Sequence, residues 1–210
     1  MSNKRWTRLG PEARRDQILA AARSLFEQGG YDAVSMSDVA EAARVTRGLV
    51  HHYFGSKREL YLEVVRSVLG EAPALVPPSE AASPEEMVRR NASATLDYFA
   101  ANRDIMLALA PSADPGRDPE VAALADAARD AVVDQVLANH FGDQEPPPEA
   151  QLIVRAFFGL LEAAAREWLF KGRATREQVE ALVAHGILAL MREALPAVMA
   201  ATPSEAARVP

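Results

Sequence analysis

Cysteine is absent from this chain of 210 residues, which excludes disulfides and thiolate metal sites. Strand-like alternation of apolar and polar residues is missing over any useful length. The chain therefore reads as all-α, with about nine helices by their start and stop signals. No apolar run approaches the ~20 residues of a membrane span. The opening MSNKRWTRLG is basic, yet no hydrophobic stretch suited to a secretory signal follows it. Together these predict a cytoplasmic protein with no membrane partner. Catalytic patterns are lacking too: no Ser/His/Asp or Cys/His arrangement, phosphate loop or carboxylate cluster stands out. The expectation is a protein that is not an enzyme and uses no cofactor.

What is present is an ordinary globular composition, 49% apolar and 25% charged. The net charge of −6 argues against a nucleic-acid partner until its distribution is read. Residues 1–70 hold 11 Lys/Arg against 8 Asp/Glu, and residues 71–210 hold 12 against 21. A small basic head on an acidic body suits a DNA reader with a separate effector domain. Lys4, Arg5 and Arg8 of the N-terminal arm supply all of the head's excess.

Local signals divide the chain into helices. Ile18, Leu19, Ala22, Leu25 and Phe26 recur at 3–4 spacing over residues 11–28, with Pro11 suited to the first turn and Gly29-Gly30 to the stop. Ser35 with Asp38 opens a short helix reaching about Ala43. Thr46 caps the next, which ends near Tyr53. Ser56 with Glu59 caps a fourth, reaching about Leu69. The proline-broken segment EAPALVPPSEAAS, residues 71–83, is the best connection between domains. Helices are expected at 84–101, 104–110, 120–140, 148–171 and 175–195, with a loop at 111–119 and a frayed tail after Pro196.

Two short helices within residues 35–54 meet the requirements of a helix-turn-helix. Val39, Ala40 and Ala43 are small enough for close packing, Val45 sits in the turn, and Val50 and Phe54 lock the second helix to the core. Thr46, Arg47, His51 and His52 are left off that core face. Residues at the start of such a helix contact base edges in the major groove. Arg47 has the fork for guanine O6 and N7, and Gly48 adds no side chain to hold the helix away. Ser35, Thr46, Tyr53 and Lys57 can donate to phosphates, which sets register rather than sequence. Adjacent His51 and His52 point ~100° apart on a helix, poor geometry for one metal ion, so no metal site is expected. Arg58 and Arg66 read as a solvated face, and Tyr31 as packing at the end of the first helix.

In detail, Ile18-Leu19-x-x-Ala22, Leu25-Phe26, Gly30-Tyr31, Ser35-Met36-x-x-Val39-Ala40-x-x-Ala43, Val45-Thr46-x-Gly48 and Tyr53-Phe54-x-Ser56-Lys57-x-x-Leu60 resemble the DNA-binding domain of the TetR family of transcriptional repressors. The resemblance implies an N-terminal three-helix DNA-binding domain over residues 1–66. It also implies an effector-binding and dimerisation domain over 67–196, with a flexible tail at 197–210. The implied DNA-binding residues are Ser35, Arg44, Thr46, Arg47, His51, His52, Tyr53 and Lys57. Two positions depart from the family pattern. Arg44 stands where glycine is usual in the turn. His51 stands where tyrosine is usual, so an imidazole replaces a phenol donor.

The body offers two helices, 148–171 and 175–195, that are apolar over much of their circumference. One side of each suits its own core and the other a symmetry mate, giving a four-helix seam. Ala163, Ala164, Ala184 and Gly186 would permit close approach. Helices 84–110 and 120–140, with the inner side of 148–171, would enclose a ligand pocket. Its candidate residues are Tyr98, Phe99, Arg103, Met106, Leu107, Phe157, Glu162 and Trp168, joined by Leu137, Arg155 and Arg166. The functional expectation is a homodimeric repressor. It would hold a palindromic operator in double-stranded DNA and be released by a small, largely apolar effector. A DNA-binding regulator without such an effector and a helical partner-binding adaptor are the alternatives.

Overall fold

A computed structural model describes residues 10–109 and 118–201. Lys4, Arg5 and Arg8, most of the expected 111–119 loop and the last nine residues lie outside them. Nine helices and no strand occur among the described residues: α1 Pro11–Ala33, α2 Met36–Ala42, α3 Arg47–Phe54, α4 Lys57–Gly70, α5 Pro84–Ala101, α6 Arg103–Leu109, α7 Pro119–Phe141, α8 Pro148–Leu169 and α9, which starts at Arg176. Two compact units result, Met1–Glu71 with Asn102–Leu124, and Ala72–Ala101 with Ala125–Pro210.

In the first unit α1 buries Ile18, Ala22 and Phe26 at four-residue spacing. Gly30 interrupts it at φ 71°, and one further turn carries the helix to Ala33, past the expected stop. The central helix is α4, which buries Leu60, Tyr61, Leu62, Val64, Val65 and Val68. Being apolar on most sides, it must be surrounded. Val39 and Ala40 of α2, Val50 and Phe54 of α3, and Ile105 and Leu109 of α6 complete the core.

Polar ties bring Asn102–Leu124 to this unit although it lies beyond the proline-rich connection. Arg23 donates to Glu27 at 2.9 Å, to Glu71 at 2.7 Å and to Asn102 Oδ1 at 2.7 Å. Asn102 is only 2% exposed, a burial that needs such a partner. Arg58 grips Asp118 with two bonds, at 2.5 and 2.9 Å, and reaches Glu120 at 3.0 Å. Arg66 donates to Glu120 at 2.7 Å and to Glu63 at 2.8 Å, and Arg15 also pairs with Glu63. Arg58 and Arg66 are exposed, as expected of a solvated face, and there they also pair with the first turn of α7. Arg58 holds the Asp118 carboxyl below the usual carboxylate range.

The second unit has two apolar clusters. One gathers Ala92 and Leu96 of α5, Phe157 and Leu161 of α8, and Val179, Val183 and Ile187 of α9. The other joins Val133 and Leu137 of α7 to Ala150, Ile153 and Val154 of α8 and to Leu195. Rather than fraying at Pro196, α9 widens into a π-helical stretch at Leu190–Ala194 and continues as Leu195–Ala200. Proline has no N–H and crowds the carbonyl four residues back, and the wide turn gives that carbonyl room. The span Arg176–Ala200 is also long and apolar enough to cross a membrane by composition, and only 11% of its most apolar window is buried. The expectation that no segment approaches that length and character is corrected here.

Candidate nucleic-acid interface

Each short helix starts on a capped turn. Ser35 Oγ accepts from Asp38 N at 3.2 Å, and Asp38 accepts in return from Ser35 N at 2.8 Å. Thr46 Oγ1 accepts from Leu49 N at 3.3 Å. Ser56 Oγ accepts from Glu59 N at 3.1 Å, and the Glu59 carboxylate accepts from Ser56 N at 2.7 Å. Caps of this kind satisfy amides that the first turn leaves orphaned, so they set where α2, α3 and α4 begin.

Between α2 and α3 the chain turns on Arg44, which has φ 53° and is the one non-glycine at positive φ among the described residues. Arg44 N–H donates to Glu41 O at 3.0 Å and Val45 N–H to Ala40 O at 2.9 Å. These two bonds make a Schellman ending, whose left-handed residue is usually glycine. Arg44 therefore carries strain of roughly 1–2 kcal/mol, partly offset because glycine would loosen the unfolded chain. Arg44→Gly is expected to stabilise the fold by roughly 0.5–1 kcal/mol, or ~1–4 °C, and to weaken DNA binding by removing a cation. Unchanged affinity at low salt would show that this head reaches no phosphate.

The turn is also held from α1. Gln17 Nε2 donates to the Ala43 carbonyl at 2.8 Å, and Gln17 Oε1 accepts from Arg14 at 2.8 Å. Sequence reasoning passed over Gln17 because a lone polar residue beside the apolar stripe looks like solvated surface.

On α3, Val50 is fully buried and Phe54 5% exposed, which fixes the helix's orientation within its unit. Thr46, Arg47, Gly48, His51 and His52 are all exposed on the remaining flank. Nothing lies within 4 Å of where a Gly48 side chain would start. Arg47 Nε donates to His51 Nε2 at 3.4 Å, and His51 Nδ1 lies 2.7 Å from the Gly55 carbonyl. His52 meets the half-buried Tyr53 ring edge-on, with centroids 5.5 Å apart. Lys57 is partly engaged: its Nζ lies 4.4 Å from the centre of the Tyr31 ring and donates to the Asp32 carbonyl at 3.4 Å. Tyr31 in turn packs on Phe26 and Tyr61. A cleft of about 520 Å³ lies beside the end of α3, lined by Arg15, Tyr53, Phe54, Arg58, Glu63 and Glu120 among others. Its three arginines, Arg15, Arg58 and Arg66, are each paired with carboxylates.

The residues expected around a ligand do not form one group within a unit. Arg103 and Met106 belong to α6 in the first unit, as does Leu107, whose side chain is outside those described. Tyr98, Phe99, Phe157, Glu162 and Trp168 belong to the second. There Phe157 is buried in the core, with Phe99 and Trp168 packed against it. Leu137 belongs to the other cluster. Glu162 accepts from Arg129 at 2.7 Å and Arg155 donates to Asp130 at 2.5 Å. A side chain starting at Gly186 would meet the Phe157 ring of its own unit at 3.8 Å.

Comparison with known proteins agrees with this geometry. Residues 18–64 match the family model described as bacterial regulatory proteins, tetR family, and residues 84–190 match tetracyclin repressor-like, C-terminal domain. The chain is 41% identical over 80 residues to the HTH-type transcriptional regulator BetI of Rhizobium meliloti (strain 1021), covering 37% of this chain and 39% of that relative. It is 41% identical over 64 residues to the HTH-type transcriptional activator FasR of Mycolicibacterium smegmatis, covering 30% and 29%. The chain thus spans under two fifths of the length of these curated relatives. A crystal structure of a tetR-family transcriptional regulator from Streptomyces coelicolor superimposes with a TM-score of 0.79 at 28% identity, covering 94% of this chain and 93% of that one.

Proposed function

The chain belongs to the TetR family of bacterial regulatory proteins, and from that premise we propose a homodimeric repressor that holds a palindromic operator until a small, largely apolar ligand binds. It is a DNA-binding transcriptional regulator and not an enzyme. The observation that carries the reading is the exposed flank of α3, where Thr46, Arg47, His51 and His52 stand opposite the buried Val50 and Phe54. Arg47 reads a guanine. Ser35, Arg44, Tyr53 and Lys57 contact phosphates, Lys57 after leaving the Tyr31 ring.

Two copies are needed, because one α3 spans only a few base pairs. Two held ~34–36 Å apart, or somewhat more, read a palindrome. Support for self-association comes from apolar surface left uncovered in the second unit. Leu152 of α8 is 59% exposed, and Ala156, Gly159 and Ala163 continue its stripe along the helix. Leu182 and Met199 of α9 are 48% and 53% exposed. Stripes of this kind on two neighbouring helices suit a four-helix seam. We assign ligand binding to the second unit, since effector response is typical of the family. A ligand that favours a different spacing of the two heads shifts the population away from DNA.

The test is Arg47→Ala, titrated against a duplex selected from random sequences and against an unselected one. Specific affinity is expected to fall by about 1–3 kcal/mol, roughly 5- to 150-fold, with little change on the unselected duplex. Equal losses on both would end the base-reading role.

A further inference from the structure

The imidazole of His51 is held at both nitrogens. Nδ1 lies 2.7 Å from the Gly55 carbonyl oxygen. A carbonyl only accepts, so Nδ1 carries the hydrogen, and in the neutral ring Nε2 is left as a lone-pair acceptor. Arg47 Nε donates to that lone pair at 3.4 Å. The two contacts require the same tautomer, so they support one another.

The Gly55 carbonyl is itself fixed. Gly55 sits at φ 68°, and its N–H donates to His51 O at 2.8 Å. The Glu59 carboxylate lies 2.2 Å from where a Cβ on Gly55 would stand, and Ser56 N–H holds it there at 2.7 Å. A continuous run of contacts therefore leads from the capping box of α4 through Gly55 and His51 to Arg47. Only Nε of Arg47 is used. Its two terminal nitrogens, the ends of the fork that match guanine O6 and N7, make no hydrogen bond among the described residues.

We propose that His51 is a positioning residue that reads no base itself and aims the Arg47 guanidinium at one base pair. This rests on α3 being the DNA-reading helix. A flexible arginine must be ordered before it makes two bonds, and a side chain already held at Nε has less freedom left to lose. An aromatic ring without nitrogens fills the same space but cannot hold the arginine. A glutamine at this position offers an acceptor toward Arg47 and a donor toward Gly55.

The experiment uses the full chain and duplexes selected from random sequence. Affinity for single-base variants of the selected site is measured for the wild type, Arg47→Ala, His51→Phe, His51→Gln and the double variant Arg47→Ala/His51→Phe. Thermal melting confirms that each is folded. His51→Phe is expected to lose discrimination about 3- to 10-fold at the same base pair that Arg47→Ala identifies, and nowhere else. The double variant should be no worse than Arg47→Ala, because the two residues act as one unit, and His51→Gln should recover most of the loss. In the free wild-type protein, long-range proton–nitrogen correlation of the neutral ring should show the Nδ1–H tautomer. Additive losses, intact discrimination in His51→Phe, or the Nε2–H tautomer would each overturn the relay while leaving DNA reading in place. A wild-type chain that prefers no sequence removes DNA reading by α3, and the proposal with it.

Discussion

Leu182→Glu is expected to leave the purified protein monomeric at micromolar concentration and to lower operator affinity at least 100-fold. Leu182 is large, apolar and 48% exposed in the isolated chain, on the flank of α9 that we assign to the seam. Pairing two chains there buries it. A carboxylate in its place enters the interface without a cation to meet it, at a cost of about 3–5 kcal/mol for each uncompensated buried charge. Two-fold symmetry counts that cost twice. Loss of the dimer then separates the two heads, so each half-site binds alone. Light scattering after size exclusion reads the mass, and titration on the selected duplex reads the affinity. Gln135→Glu, on an exposed flank of α7, serves as control and should change neither. A Leu182→Glu protein that stays dimeric would place the seam elsewhere.

Gly55→Ala should destabilise the first unit by at least about 2–3 kcal/mol, from two separable causes. Gly55 has φ 68° with ψ −79°, outside the left-handed helical well, so an L-residue there pays no less than the roughly 1–2 kcal/mol of that well. A methyl group there would also stand 2.2 Å from the Glu59 carboxylate. Glu59 is flexible and can swing away, but it then abandons Ser56 N–H, and losing half a capping box costs ~1 kcal/mol. The expected drop in Tm is at least ~4 °C. Gly55→Ala/Glu59→Ala isolates the backbone strain. With the carboxylate already gone, adding the Gly55→Ala change to Glu59→Ala should cost only the strain. An equal cost on both backgrounds would mean that the collision and the cap contribute nothing.

Helix starts were the most legible part of this chain. Ser35 with Asp38 and Ser56 with Glu59 form the reciprocal caps that their spacing allows. A cap needs only three or four consecutive residues, so sequence holds all the information. Stops were less legible. Gly30 breaks α1, yet the chain regains a helical turn behind it. Pro196 reads as a stop, and α9 passes it by widening over the preceding residues. Both outcomes depend on whether distant packing makes it worthwhile to continue.

The candidate DNA-contacting side chains of α3 were found from pattern, because burial of Val50 and Phe54 dictates which residues face away. The supports behind them were not. Gln17 reaches the turn from 26 positions away, Lys57 lies against Tyr31, and Arg58 holds Asp118 from 60 positions away. Each is a polar residue near an apolar stripe, and such residues look alike in sequence whether solvated or paired. The expected pocket walls illustrate the same limit. Phe157 belongs to a core shared with α5 and α9, and no periodicity distinguishes that from a wall around a ligand.

By itself, the sequence determined where the helices start, their caps and the exposed flank of α3, since all of these follow from neighbours within a few residues. Tertiary structure alone decided that Asn102–Leu124 belongs with the N-terminal unit, that Arg58 and Arg66 are paired, and which stripes of α8 and α9 stay uncovered. Those outcomes depend on groups far apart in the chain coming within hydrogen-bonding or van der Waals distance, and local spacing carries no record of that.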